Sequence, residues 1–208
     1  MNIALCISGQ LRSFNNNKDS IINCYVNNLK QYGNVHIFSA TDKTISLNTV
    51  KSVIIESQMF FNANIMQQLI ALAARPDIPY NIINMYYKIY KCNQLKNEFE
   101  RENNFKYDIA IRVRPDMAPH GQLILEKNNN TVYFPKNLDY DGVCDQFAYG
   151  DSQTMDVYSD MYNNILNTLK SGCRFTAEII LKQYCNDSKI NIQRINNDFN
   201  IGEINRLL

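Results

Sequence analysis

Tyr107-Asp108-Ile109-Ala110-Ile111-Arg112-Val113-Arg114-Pro115-Asp116 is the stretch on which the fold turns. Ile109, Ile111 and Val113 alternate with Ala110, Arg112 and Arg114, the period of two that a β-strand imposes by pointing successive side chains to opposite faces. Pro115 ends the strand because it brings no N–H to a ladder. The apolar face suits a central strand, and arginines buried in such a strand require an anionic partner. Alternation also sets Arg112, Arg114 and Asp116 on one side, where two guanidinium groups flanking a carboxylate suit a diphosphate with a divalent ion. The competing reading is an amphipathic edge strand whose arginines face water or pair with Asp108.

Upstream, Ile3 to Ile7 reads as a first strand that turns at Ser8-Gly9-Gln10 into a helix carrying Ile21, Ile22, Tyr25, Val26 and Leu29. A second strand, Val35 to Phe38, ends at Ser39-Ala40-Thr41-Asp42, and a third runs from Val50 to Ile55. Met59 to Ala74 is apolar enough for a helix, which Pro76 and Pro79 interrupt. In the long helix that follows, Ile82, Tyr86, Ile89, Cys92, Leu95 and Phe99 recur at helical spacing as the buried stripe. Lys88, Lys91, Lys96, Glu98 and Glu102 are expected largely elsewhere.

Downstream come a turn at Pro119-His120-Gly121, a strand from Thr131 to Phe134, a polar loop from Asn137 to Gly142, and a strand from Gln146 to Tyr149 closed by Gly150. Asp151 or Ser152 caps a helix carrying Tyr158, Met161, Tyr162, Ile165 and Leu169. A last helix starts near Phe175 and a last strand near Ile190. Strands alternating with helices imply an α/β, Rossmann-like fold: a central, mostly parallel mixed sheet flanked by helices.

The length of 208 residues suits one domain. Lys and Arg total 21 against 20 Asp and Glu, so no domain-wide basic face exists and nucleic acid is excluded as a partner. Met1 to Ser8 lacks the basic leader and sustained apolar run of a secretory signal, and no segment approaches the roughly 20 apolar residues of a membrane span. A cytoplasmic location follows. The six cysteines form no C-x-x-C pair and have no histidine at zinc-ligand spacing, so they are expected to be free and mostly buried thiols.

Ligands of open α/β sheets lie beyond the carboxyl ends of the strands, where loops and helix N-termini converge. After the first strand, Ser8 and Gly9 permit a close backbone approach, and Gln10 and Arg12 offer donors for a base, ribose or phosphate. Asp42 ends the second strand on the same side. Asp139 and Asp141 read as turn formers. Asp145 adjoins a strand, where a carboxylate acts as base, contacts acceptor hydroxyls or helps hold a metal. Glu178, in the first turn of its helix, is either placed there by the helix dipole or a catalytic carboxylate. His36 and His120 stand apart from any triad or zinc pattern and read as structural.

Cys6-Ile7-Ser8-Gly9-Gln10-Leu11-Arg12, the Tyr107 to Asp116 stretch, and Asp145-Gln146-Phe147-Ala148-Tyr149-Gly150 together resemble viral and bacterial glycosyltransferase-like proteins of the nucleotide-diphospho-sugar transferase superfamily. The resemblance spans most of the chain. It implies a GT-A-like domain over 1–208, with a nucleotide-sugar-binding half at about 1–116 and an acceptor-side half at 117–208. It also implies a UDP- or GDP-linked sugar donor, a glycan or glycoprotein acceptor, and Mn or Mg held by an Asp-x-Asp motif. Asp116 matches the final aspartate of that motif, while Arg114 stands where its first would be, so Arg114 instead meets the diphosphate directly. Asp145 and Glu178 resemble acidic positions on the sugar and acceptor side. For a viral chain the compartment is the host cytoplasm. Two alternatives stay open: a sulfotransferase- or fucosyltransferase-like enzyme whose main phosphate loop is Gly9-Gln10-Leu11-Arg12, and a non-catalytic nucleotide-binding domain.

Overall fold

The computed structural model describes residues 1–56, 63–73, 77–196 and 198–203. Nine strands and six α-helices are described. The strands are β1 (Asn2–Gly9), β2 (Asn34–Thr41), β3 (Lys51–Ile54), β4 (Ile109–Val113), β5 (Met117–His120), β6 (Thr131–Phe134), β7 (Phe147–Gly150), β8 (Asn191–Arg194) and β9 (Asn200–Glu203). The helices are α1 (Phe14–Ile21), α2 (Ala63–Leu72), α3 (Asp77–Glu102), α4 (Ser152–Ser159), α5 (Met161–Lys170) and α6 (Ala177–Asp187). A π-helical segment, Ile22–Asn27, continues α1.

Seven strands form one sheet in the order β3-β2-β1-β4-β7-β6-β8. The pairs β3·β2, β2·β1, β1·β4 and β6·β8 are parallel, and β7 runs antiparallel to both β4 and β6. The sheet is therefore α/β, mixed and mostly parallel, as the alternation of elements implies. The segments 1–116 and 117–208 share it, the first supplying β1 to β4 and the second β6 to β8.

Two apolar layers follow from the period of two. Ile3, Leu5 and Ile7 of β1 and Ile109, Ile111 and Val113 of β4 face α1 and the π-helical segment, meeting Phe14, Ile21 and Tyr25. Ala4, Cys6 and Ala110 face the opposite way, onto Ile83, Tyr86, Ile89 and Cys92 of α3. Arg112 lies on this second face, central in the sheet, with Cys6 and Ala148 as its neighbours across the ladders. Those two small side chains leave space for the guanidinium. The edge-strand reading of the arginines is thereby excluded.

Several expectations are corrected. Pro79 lies inside the first turn of α3, where its missing N–H has no intrahelical acceptor to lose; Pro76 and residues 57–62 lie outside the described residues. Pro119 and His120 belong to a strand, β5, which pairs antiparallel with β9 in a small second sheet. The single helix expected after Asp151 is two, α4 and α5, meeting at Asp160, whose side chain accepts Asn164 Nδ2 at 2.9 Å. Such local bonding competes with helix continuation. Asp151 is the cap, accepting the Thr154 N–H at 2.9 Å.

Lys88 and Lys96 are buried, not on the outer face of α3. Lys96, at 0% exposure, bonds Ser152 Oγ and lies 2.8 Å from Asp156 Oδ1. Glu100 completes the network, accepting Ser152 Oγ at 2.6 Å, the Tyr107 N–H at 2.9 Å and Lys106 Nζ at 2.7 Å. This cluster joins α3 to the start of α4 and to the approach to β4. All six cysteines are free thiols, four of them buried.

Candidate functional site

Strand order reverses at β1: β2 and β3 lie to one side and β4 to the other. The chain leaves β1 toward the α1 face and reaches β4 through α3 on the opposite face. A switch point of this kind opens a crevice at the carboxyl ends of the strands. A cleft of about 190 Å³ lies there. Gly9, Gln10 and Arg12 line it from the β1 loop, Arg112 and Arg114 from β4, Asp145 from the loop before β7, and Ala177 from the start of α6. The N-terminal half of α3 forms the opposite wall with Asn81, Asn84, Met85 and Lys88.

Gly9 is required where it stands. Its φ of +142° disfavours side chains, and an added Cβ would lie 3.1 Å from Pro115 Cδ, so the two loops touch through this residue. The β1 loop is pinned by Asp42, whose Oδ1 accepts the Leu11 N–H at 2.8 Å. Asp42 thus positions the loop, and it does not line the cleft. Arg12, at φ 28°, donates to Gln10 Oε1 at 2.9 Å and lies 3.3 Å from Asp116 Oδ2, with 47% of its side chain exposed.

Asp116 is the hub of an ion cluster. Arg114 meets it with a two-point fork, Nε to Oδ1 at 2.6 Å and Nη2 to Oδ2 at 2.9 Å. One carboxylate is thus shared by two guanidinium groups. A divalent cation at Asp116 would compete with both arginines, and no three His, Cys, Asp or Glu side chains converge among the described residues. The donor set does not fit a resident Mn or Mg ion. It fits an anion.

Arg112 is the other focus. Only 2% exposed, its Nε, Nη1 and Nη2 make no hydrogen bond. A guanidinium withdrawn from water costs several kcal/mol unless paired. Further buried groups without hydrogen-bond partners surround it: Ser8 Oγ and Asp145 Oδ1. Ser8 shares a small internal cavity with Arg112, behind the cleft. Buried polar atoms without protein partners call for water or another polar group to complete them.

The acids respond to this setting. Burial pushes the Asp145 carboxyl up, opposed by the charges of Arg112 and Arg114. Glu178, half-buried in the first turn of α6, is pushed up to about 7, first by burial and then by the charge of Asp145, with its own backbone N–H and Arg114 acting the other way. The loop before β7 seats on this helix end: Val143 N–H donates to the Glu178 carbonyl at 3.1 Å. Gly142 fits because a Cβ there would fall 2.0 Å from the Glu178 carbonyl carbon. Leu138, Tyr140 and Asp141 of this loop have positive φ, and Asp139 anchors it through Arg194 at 2.7 Å. Asp139 keeps its reading as a structural residue, while Asp141 pairs with Arg174 at 3.6 Å in an exposed contact. His36 bonds Tyr107 Oη at 2.7 Å, away from the cleft.

The structure thus brings Gly9, Gln10, Arg12, Arg112, Arg114 and Asp145 to one cleft, with Asp116, Ser8 and Glu178 against its edges. Lys88 was not anticipated there. Its spacing carried a signal, since Lys88, Cys92 and Lys96 fall at i, i+4 and i+8 and so share the buried face of Cys92.

The site belongs to an α/β protein with a mixed, mostly parallel sheet. Residues 1–202 match the family model described as a domain of unknown function, DUF7796, and the chain belongs to that family. Comparison with curated proteins gives no match. No helix among the described residues is long and apolar enough to cross a membrane.

Proposed function

We propose that the protein is a glycosyltransferase that moves a sugar from a UDP- or GDP-linked donor to an acceptor hydroxyl of a glycan or glycoprotein, in the cytoplasm. The observation that carries this reading is Arg112: a buried, unpaired guanidinium at the switch point of the sheet, two residues from the Arg114–Asp116 fork and near two carboxylates with raised pKa. A donor diphosphate supplies an anion for Arg112, and a carboxyl pushed up to about 7, as that of Glu178 is, suits acid–base chemistry on a hydroxyl. We read the fold as GT-A-like, with β1 to β4 on the nucleotide side and the Asp145 loop and α6 on the acceptor side.

In the inverting form of the reaction, the acceptor oxygen bonds to the anomeric carbon as the bond from that carbon to the diphosphate oxygen breaks. The electron pair leaves with the diphosphate, whose growing charge Arg112 and Arg114 stabilise. The hydroxyl proton passes to the Glu178 carboxylate. Asp145, deeper in the cleft, contacts the sugar hydroxyls and is the second candidate base. The sulfotransferase-like alternative makes Arg12 the main phosphate ligand; Arg12 is nearly half exposed and already engaged by Gln10 and Asp116, which weighs against it.

A thermal-shift screen of UDP- and GDP-sugars tests the reading. At a concentration of about 100 times Kd, binding stabilises by about 2.7 kcal/mol, or roughly 5–10 °C in Tm for a chain of this size. The shift is expected for one nucleotide class and is lost in Arg112→Met. Absence of a shift with every nucleotide-sugar refutes it.

A further inference from the structure

We propose that the cleft holds its diphosphate without a divalent ion, through Lys88 of α3 and Arg112 of β4 acting as an inner anion subsite. The identity of the anion rests on the glycosyltransferase reading; the subsite itself rests on geometry. Lys88 is 1% exposed, lines the cleft, and makes no hydrogen bond or ion pair among the described residues. Arg112, 2% exposed, lines the same cleft with all three guanidinium nitrogens unbonded.

The contrast with the other cations of the molecule is informative. Lys96 is as deeply buried and has Ser152, Asp156 and Glu100 around it. Arg12 and Arg114 share Asp116. Among the described residues, Lys88 and Arg112 are the buried cations with no hydrogen bond or ion pair, Asp42 and Asp145 acting on them only from beyond contact distance. Burial lowers the Lys88 pKa, with Asp42 favouring the charged form and Arg12 opposing it. Two unmatched positive charges equal the two negative charges of a diphosphate diester, which is the neutralisation a divalent ion provides elsewhere. Asp145 lines the same cleft, where the charges of Arg112 and Arg114 favour its ionised form.

Titration of inorganic pyrophosphate and of UDP and GDP, each in EDTA and in Mn, tests the subsite on wild type, Lys88→Met, Lys88→Arg and Arg112→Met. Wild-type affinity is expected to be the same with and without the metal. Loss of one charge-assisted contact lowers affinity about 10- to 100-fold in each methionine variant, and Lys88→Arg retains most of it. Neither methionine variant should lose thermal stability, because each removes a buried charge without breaking a hydrogen bond or a contact ion pair, and Arg114 still faces Asp145; this separates lost binding from lost folding. Binding that needs Mn, that ignores Lys88→Met, or that is absent from wild type overturns the proposal. Metal-free pyrophosphate binding with no turnover of any nucleotide-sugar leaves the subsite standing and removes the glycosyltransferase reading. Mn-dependent turnover indifferent to Lys88→Met does the reverse.

Discussion

Replacing Arg112 by methionine should stabilise the folded protein, whereas the same replacement at Lys96 should destabilise it severely. Both side chains are cationic and at most 2% exposed, so a count of buried charges treats them alike. Their surroundings differ. Arg112 has no hydrogen-bond partner on any nitrogen, so methionine removes a desolvated charge and keeps most of the packing. Exchanging buried ionic groups for apolar ones of similar volume is neutral or stabilising by about 1–4 kcal/mol. Arg112 borders a cleft that admits water, which holds the gain to about 1–2 kcal/mol, a rise of roughly 2–8 °C in Tm. Lys96→Met takes the buried cation away from Glu100, Ser152 and Asp156 and leaves Lys106, itself largely exposed, as the cation near the two acids. Removing one partner of such a cluster costs about 3–5 kcal/mol. Urea unfolding of the two variants and the wild type at one pH measures both changes. If Arg112→Met loses as much stability as Lys96→Met, Arg112 is a satisfied structural cation and the anion subsite does not exist.

Other outcomes follow from the same geometry. Asp116→Asn removes the negative charge that Arg12 and Arg114 share, so pyrophosphate affinity measured by calorimetry should hold or rise; a metal ligand at this position would instead make it collapse. Glu178 titrates at about 7 in the folded chain against an ordinary value of 4.5. The folded state therefore holds the extra proton between these values, and stability falls as pH rises through that window, then levels off. Glu178→Gln should flatten this dependence in thermal scans from pH 4 to 8. As the base, Glu178 should also set an acid limb near 7 in the rate, and Glu178→Gln should remove that limb and about 10²- to 10⁴-fold of the rate. Gly142→Ala forces a Cβ onto the Glu178 carbonyl and should cost about 3 kcal/mol, seen as a lower urea midpoint together with weakened turnover.

Much of the fold was legible because its strands obey a simple period. Ile109, Ile111 and Val113 against Ala110, Arg112 and Arg114 specified both faces of the central strand. The rule that ligands gather beyond strand carboxyl ends singles out the Gly9 loop, and Asp145 stands at the same end of the sheet because β7 runs antiparallel to β4. What escaped depends on distant partners. Pairing of Pro119 with Ile201 in the small sheet joins segments with no local strand signal, and proline biased the reading toward a turn. The break at Asp160 reflects side-chain bonding within one turn, not a helix-breaking residue. Lys88 and Lys96 are expected largely off the buried stripe, although their spacing from Cys92 points inward. Asp42 has the right location and another task, since its carboxylate is spent on the Leu11 N–H. Asp116 sits where a metal ligand was expected, but only the structure reveals that two arginines already occupy it.

The most direct test of the central claim is release of nucleoside diphosphate from UDP- and GDP-sugars, followed by chromatography with wild type, Glu178→Gln and Arg112→Met. Release by the wild type from one nucleotide class, abolished by Arg112→Met and strongly slowed by Glu178→Gln, is the predicted result. Release from neither class, or release at wild-type rate in both variants, contradicts it.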